Sequence, residues 1–195
     1  MLDAHRDLFK WLEKIIAGMF SPLPITPNQY SFSSILLISV CFYFLTKQNL
    51  PWAILFFLLA AFMDLVDGAV ARKKNMSSKK GAYLDTVFDR YVEGILLLGF
   101  LFLPLPEIFM PNYFWIFLVL FGSMMTTYAK SAAKEKELTQ KELKGGLMSR
   151  GERAIFYLAA MVFGIFYPHS MTIILIIMAV LTNFTAIQRI FSATK

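Results

Sequence analysis

The feature that most constrains this chain is a series of apolar runs, each about 20 residues long, the length at which a helix crosses the hydrocarbon core of a bilayer. The chain has 195 residues, is 57% hydrophobic and 16% charged, and contains 20 Phe. This composition is too apolar for a soluble domain. The sequence therefore predicts an all-α integral membrane protein.

We predict six transmembrane helices and an N-terminal amphipathic helix. The spans are placed near residues 29–46, 52–74, 82–104, 112–134, 152–167 and 170–190. Residues 1–20 put apolar side chains on one helical face and charged ones on the other, which is typical of a helix in the membrane interface. A linker helix from a larger protein is the alternative for this segment. Residues 21–195 are assigned to one membrane domain, because no repeat or low-complexity tract interrupts them.

Basic residues are distributed unevenly over the predicted connections. Of the 19 Lys and Arg, only Lys47 falls on one side of the predicted membrane. Because Lys and Arg concentrate in cytoplasmic loops, we predict a multi-pass protein of the cell membrane with both termini and the active site in the cytoplasm. This distribution accounts for the net charge of +6 without a nucleic-acid partner. Cys41 lies in an apolar run and is expected to be a small buried residue.

Four aspartates lie near the cytoplasmic ends of the second and third predicted spans. Asp64 and Asp67 are three residues apart, and Asp85 and Asp89 are four apart, so each pair shares one face of its helix. Four ionised carboxylates without partners would repel one another strongly. Divalent cations relieve this repulsion, and carboxylates without Cys or His favour Mg²⁺ or Mn²⁺ over zinc.

Small and basic residues surround the aspartates. Gly68, Ala71 and Gly81 permit either close helix packing or close approach of a ligand to the backbone. Beside four acids and Arg72, a ligand pocket is the favoured interpretation. Metal ions held by carboxylates at a basic rim indicate a substrate that carries phosphate. The structural alternative is an ion-pair network between the aspartates and the lysines of the connecting loop.

The arrangement of these residues resembles a known signature. It reads Asp64-x-x-Asp67-Gly68-x-x-Ala71-Arg72, then eight residues, then Gly81-x-x-x-Asp85-x-x-x-Asp89. This is similar to the signature of the CDP-alcohol phosphotransferases, or CDP-alcohol phosphatidyltransferase family, and all eight positions match. Members transfer a substituted phosphate from a CDP-alcohol to a hydroxyl of an acceptor and release CMP. The six predicted spans extend the resemblance over nearly the whole chain, and the family implies a homodimer.

The resemblance implies roles for individual residues. Asp64, Asp67 and Asp85 are expected to hold two Mg²⁺ or Mn²⁺ ions, with Asp89 as both a ligand and the catalytic base. The expected nucleotide-binding residues are Asn28, Gly68, Ala71, Arg72, Ser78 and Gly81.

The predicted acceptor-binding residues are Lys130, Arg150 and Arg153. Arg150 and Arg153 are three apart and can face one pocket, and several cations near a metal site suggest an acceptor that carries phosphate. The stretch GGLMSRGERAIF resembles the inositol-phosphate-using branch of the family, so inositol 1-phosphate is favoured. Ala132 departs from that branch, in which an arginine is frequent. The alternative is that these cations only meet lipid headgroups.

Two other functions are kept as alternatives. A phosphatidylglycerophosphate synthase would place glycerol 3-phosphate in the same basic pocket. An ion transporter would also cluster acids, but near the bilayer midplane. The donor is left open among CDP-diacylglycerol, the ether analogue CDP-archaeol and a soluble CDP-alcohol such as CDP-inositol. Glu93, one turn beyond Asp89, is expected either to orient the acceptor or to pair with Arg90.

Overall fold

All regular secondary structure that the structure describes is helical. The structure is a computed structural model that describes residues 6–138 and 146–194, apart from the side chains of residues 6–10 and of Leu12. Its helices in these ranges are α1 (Arg6–Phe20), α2 (Pro27–Thr46), α3 (Leu50–Lys73), α4 (Lys79–Phe100), α5 (Asn112–Glu135), α6 (Arg150–Phe166) and α7 (Pro168–Ala193). The prediction of an all-α protein is confirmed. Residues 1–5 of the predicted amphipathic segment lie outside the described residues.

Each predicted span corresponds to one helix, with ends that differ by a few residues. Within the described residues, α2, α3, α5 and α7 are long and apolar enough to cross a membrane. The other two candidates do not share both properties, because α4 carries several charged residues and α6 has only 17 residues. The structure therefore supports a membrane protein with four clear candidate spans.

Local sequence signals set the ends of the helices around the aspartates. Thr26 precedes α2, and its backbone N–H donates to Gln29 Oε1 at 2.8 Å, while Pro27 occupies the first turn. At the end of α3, Asn75 has a positive φ of 54°, and Met76 N donates to Ala71 O at 2.9 Å. This pattern ends a helix with a left-handed residue, a conformation that Asn tolerates. A five-residue connection, Lys74 to Ser78, then leads into α4.

Among the described residues, the first compact unit comprises residues 6–103 and contains α1 to α4. In this unit α2 packs against both α3 and α4, and α1 packs against α3. The contact of α1 with α3 is apolar: Ile16 and Ala17 lie against Val66, Ala69 and Val70. A side chain at Gly99 of α4 would overlap Leu45 of α2, so glycine allows these two helices to approach closely.

Among the described residues, the second unit comprises residues 104–138 and 146–194 and contains α5, α6 and α7, with α7 packed against both of the others. Polar contacts accompany this packing. Asn183 Nδ2 donates to Leu118 O at 2.9 Å, and Arg189 Nη1 donates to Thr126 O at 2.7 Å. A hydrogen bond of 3.1 Å from Met148 N to Thr185 Oγ1 attaches the start of α6 to α7. These bonds satisfy polar groups inside an apolar helix bundle.

A tight contact between α5 and α7 in the second unit predicts a position that is sensitive to substitution. A Cβ atom at Gly122 would overlap Thr182 Oγ1 and lie 2.8 Å from the backbone N of Asn183. Because that backbone cannot move aside easily, Gly122→Ala should destabilise the protein by about 1–3 kcal/mol, measured by thermal unfolding in detergent. Gly94→Ala is the control, since nothing lies within 4 Å of a Cβ atom there. Equal unfolding temperatures for both variants would contradict this packing.

Candidate functional site

Three aspartates meet in the first unit where α3 and α4 carry the signature residues. Asp64, Asp67 and Asp85 each offer a carboxylate oxygen, and these oxygens lie within 4.8 Å of one another. Asp67 is buried, and the other two are half-buried. Their oxygens are the hard ligands that Mg²⁺ and Mn²⁺ prefer, and their mutual repulsion makes a bound cation favourable. The residues thus fit the metal site that the sequence predicted.

A hydrogen bond from α2 holds the buried carboxylate. Ser31 Oγ donates to Asp67 Oδ2, and the Ser31 side chain is itself buried. Sequence reasoning missed Ser31, although its position three residues after Asn28 placed it on the same helical face. By fixing the orientation of Asp67, Ser31 pre-organises the ligand set.

Asp89 lies one turn beyond Asp85 on α4 and is half-buried. Among the described residues, Asp64, Asp67 and Asp85 form the cluster of close carboxylates, and Asp89 is not part of it. Its roles as a fourth ligand and as the catalytic base stay predictions. Glu93 is buried and forms an ion pair with Arg90 at 2.7 Å, one of the two roles expected for it.

A pocket opens beside the carboxylates and is lined by α2, α3, α4 and the connection between α3 and α4. All six residues predicted to bind the nucleotide line this one pocket: Asn28, Gly68, Ala71, Arg72, Ser78 and Gly81. Asp67 and Asp85 line it as well, so the metal ligands and the predicted nucleotide positions share one space. The lining residues that sequence reasoning did not single out are Ser31, Met76, Ser77 and Ala82.

The pocket is suited to an anion because two helices begin at it. Residues of the first turns of α2 and α4 line the pocket, and a helix N-terminus carries a positive partial charge. Ser78 Oγ caps α4 by accepting a hydrogen bond from Gly81 N at 3.0 Å. A Cβ atom at Gly81 would lie 3.2 Å from that Oγ, so glycine keeps this corner open.

The predicted acceptor-binding residues belong to the second unit. Lys130 is half-buried near the end of α5, and Arg150 is exposed in the first turn of α6. Arg153 is buried, and its Nη1 donates to Met148 O at 3.4 Å. Arg150 and Arg153 thus differ in exposure although they are three residues apart. Their part in acceptor binding stays a prediction.

The all-helical fold, the carboxylate cluster and the pocket beside it are features that a membrane enzyme acting on phosphate compounds requires. The sequence profile of the CDP-alcohol phosphatidyltransferases matches residues 24–185, and the chain belongs to this family. It is therefore a transferase of phospholipid biosynthesis, which confirms the resemblance found in the signature residues.

Individual relatives are similar over nearly their full length. The archaetidylinositol phosphate synthase of Pyrococcus horikoshii is 32% identical, over 100% of this chain and 97% of its own. The phosphatidylinositol phosphate synthase of Corynebacterium glutamicum is 28% identical, over 100% and 90%. The crystal structure of the phosphatidylinositol phosphate synthase of Mycobacterium tuberculosis with CDP-DAG bound has a TM-score of 0.81 and 21% identity, covering 93% of this chain and 92% of that chain. The same mycobacterial protein has been solved in complex with manganese and citrate.

The Ser31 contact predicts an effect on metal binding. Ser31→Ala removes the hydrogen bond that orients Asp67, so Mn²⁺ affinity should fall by about 10- to 100-fold, as is typical for partners of metal ligands. Asp67→Asn should abolish high-affinity binding. Titration of the purified protein with Mn²⁺, followed by electron paramagnetic resonance, measures both effects.

Ser33→Ala is the matched control for this titration. Ser33 lies on the same helix, and its Oγ donates to the backbone carbonyl of Tyr30 at 2.7 Å. Its removal should leave Mn²⁺ affinity unchanged. Equal losses in the two serine variants would mean that Ser31 supports α2 generally and not the metal site.

Proposed function

We propose that this protein transfers a substituted phosphate from a CDP-alcohol lipid to a hydroxyl of inositol 1-phosphate, releasing CMP, in a reaction that requires Mg²⁺ or Mn²⁺. The observation that carries the proposal is one pocket lined by all six predicted nucleotide residues and by Asp67 and Asp85, two members of the three-carboxylate cluster. The names of both sequence relatives, each an inositol phosphate synthase, support the acceptor.

The pocket residues bind and orient the donor in this proposal. The diphosphate lies against the first turns of α2 and α4, where the positive partial charge of the helix N-termini favours an anion. Gly68, Ala71 and Gly81 allow the nucleotide to approach the backbone closely. Arg72, at the exposed rim, supplies a guanidinium for the phosphate oxygens. The donor is a CDP-linked lipid, either a diacylglycerol or an ether analogue.

Asp64, Asp67 and Asp85 would hold the divalent cations, two in number, and Asp89 would complete the ligand set. Bound cations neutralise the diphosphate and the negative charge that develops on the departing CMP. The chain's own contribution is to fix these carboxylates, as Ser31 does for Asp67.

The transfer step is a single displacement at phosphorus. The acceptor hydroxyl oxygen forms a bond to the phosphorus that carries the lipid alcohol, the bond from this phosphorus to the bridging oxygen breaks, and CMP leaves with that oxygen. Asp89 accepts the hydroxyl proton as the general base. Lys130, Arg150 and Arg153 would bind the phosphate of the acceptor.

The membrane arrangement proposed for this chemistry has six spans, with α4 and α6 crossing as well as the four apolar helices. The charged residues of α4 then face the protein interior near the cytoplasmic edge, where intramembrane charges are tolerated. The active site and both termini lie on the cytoplasmic side, as the distribution of Lys and Arg favours. The protein acts as a homodimer. Membership of a transferase family removes the argument for an ion transporter.

The orientation predicts different accessibility for two connections. In a Cys41→Ala background, Glu107→Cys should react with a membrane-impermeant maleimide on intact spheroplasts, whereas Lys136→Cys should react only after permeabilisation. Both positions are exposed, so burial does not account for a difference. Labelling of Lys136→Cys before permeabilisation would contradict a cytoplasmic active site.

The activity itself is tested by CMP release from purified protein in detergent. CDP-diacylglycerol, CDP-archaeol and CDP-inositol are each offered with inositol 1-phosphate or glycerol 3-phosphate, with and without Mg²⁺. We expect metal-dependent release with a CDP-lipid and inositol 1-phosphate, and at least about a 100-fold loss of kcat in Asp89→Asn, the range for a removed general base.

Glu135→Gln is the control for this assay, because Glu135 is exposed at the end of α5 and pairs with its neighbour Lys136. It should retain full activity. CMP release with glycerol 3-phosphate but not with inositol 1-phosphate would change the proposed acceptor and leave the proposed reaction class unchanged. No release from any pair, by protein that still binds Mn²⁺, would overturn the proposed reaction.

A further inference from the structure

The basic end of α3 is attached to the amphipathic helix α1. Arg72 and Lys73 contact α1 itself: Arg72 Nε lies 2.5 Å from Glu13 Oε1, and Lys73 Nζ donates to Ala17 O at 3.4 Å. Lys74 Nζ donates to Leu23 O at 2.9 Å, in the connection that follows α1. Arg72 is also a pocket residue and a member of the signature. A residue outside the signature thus binds a guanidinium at the rim of the nucleotide pocket.

The nitrogens of the Arg72 guanidinium contact two different parts of the structure. Nε is bound by Glu13, while Nη1 and Nη2 each lie 3.4 Å from the position that a Cβ atom would take on Gly68. Gly68 lines the pocket, so the two terminal nitrogens are presented beside it. Because guanidinium N–H groups are fixed in one plane, holding Nε also orients the other donors.

The packing of α1 makes Glu13 a fixed partner. Ile16 and Ala17, one turn after Glu13, are buried against α3, and Phe20 packs edge to face with Tyr30 of α2. The opposite side of α1 exposes Trp11, Ile15 and Met19. Glu13 therefore lies on a helix that packs against α3, the helix that carries Arg72.

We propose that Glu13 is a positioning residue: it holds Arg72 in the orientation that binds the diphosphate of the donor. The inference rests on the proposed function, since it assigns the nucleotide to this pocket. The alternative geometry, in which Glu13 withdraws Arg72 from the pocket, conflicts with the position of both Nη atoms over Gly68.

The test measures binding of CDP to the full-length protein in detergent with Mg²⁺, by isothermal titration calorimetry. Glu13→Gln should weaken CDP binding by about two- to fivefold, the size that a partly exposed ion pair supports. In an Arg72→Gln background, Glu13→Gln should have no further effect, because residues that act as a unit are not additive. Glu13→Asp keeps the charge and should recover part of the lost affinity.

Two further readouts separate positioning from a structural role. Lys73→Gln removes a different contact between α3 and α1 and should leave CDP affinity unchanged. In the CMP-release assay, Glu13→Gln should raise KM for the donor while kcat and KM for the acceptor stay the same. A merely structural role would lower the unfolding temperature in both variants and would reduce kcat with KM.

Each contrary outcome overturns one specific statement. Unchanged CDP affinity in Glu13→Gln, or an equal loss in the Arg72→Gln background, would overturn the positioning role, and tighter binding would mean that Glu13 competes with the diphosphate. Failure of the proposed function would give a different result. The unsubstituted protein would then not bind CDP in a Mg²⁺-dependent way, and Asp67→Asn would have no such binding to abolish. That result would overturn this inference as well.

Discussion

The repulsion among three carboxylates is the constraint on which the first unit depends. Asp64, Asp67 and Asp85 lie within 4.8 Å of one another beside apolar helices, where charge is poorly solvated. The helices cannot be held together there by the aspartates, so other contacts must do so. Apolar packing of α1 on α3, close contact of α4 with α2 at Gly99, and the Ser31 hydrogen bond supply them. A bound cation would add to this stability, because ligands that bind only the folded state stabilise it.

The surroundings of the carboxylates follow from the same electrostatics. The end of α3 contributes carboxylates that favour bound cations, while the N-termini of α2 and α4 contribute positive partial charges that favour bound anions. A phosphate group bridging cations and helix N-termini satisfies both at once. Small residues at positions 68, 71 and 81 leave room for such a group against the backbone. The site is therefore built chiefly from helix ends and absent side chains, with few long side chains directed into it.

Much of the fold and the site could be predicted from the sequence, because the responsible signals are local. Apolar runs of membrane-crossing length located the helices, and spacings of three and four residues placed the aspartates on shared faces. The signature spans one connection, and six of its eight residues line one pocket. Ser31 and Glu13 were not found because their partners are 36 and 59 residues away, and no local pattern encodes such contacts. Six spans could not be fixed, since α4 is charged and α6 is short.

The connection between α3 and α4 has a consequence for how this chain can evolve. It consists of five residues, with left-handed Asn75 closing α3 and Ser78 capping α4, so both of its ends are set by backbone geometry. A residue inserted or deleted between Ser78 and Asp85 would rotate Asp85 by about 100° about the axis of α4 relative to the cap, since one helical turn contains 3.6 residues. Asp85 would then leave the cluster. The loop also lines the pocket, so its sequence is constrained by the site as well as by the two caps.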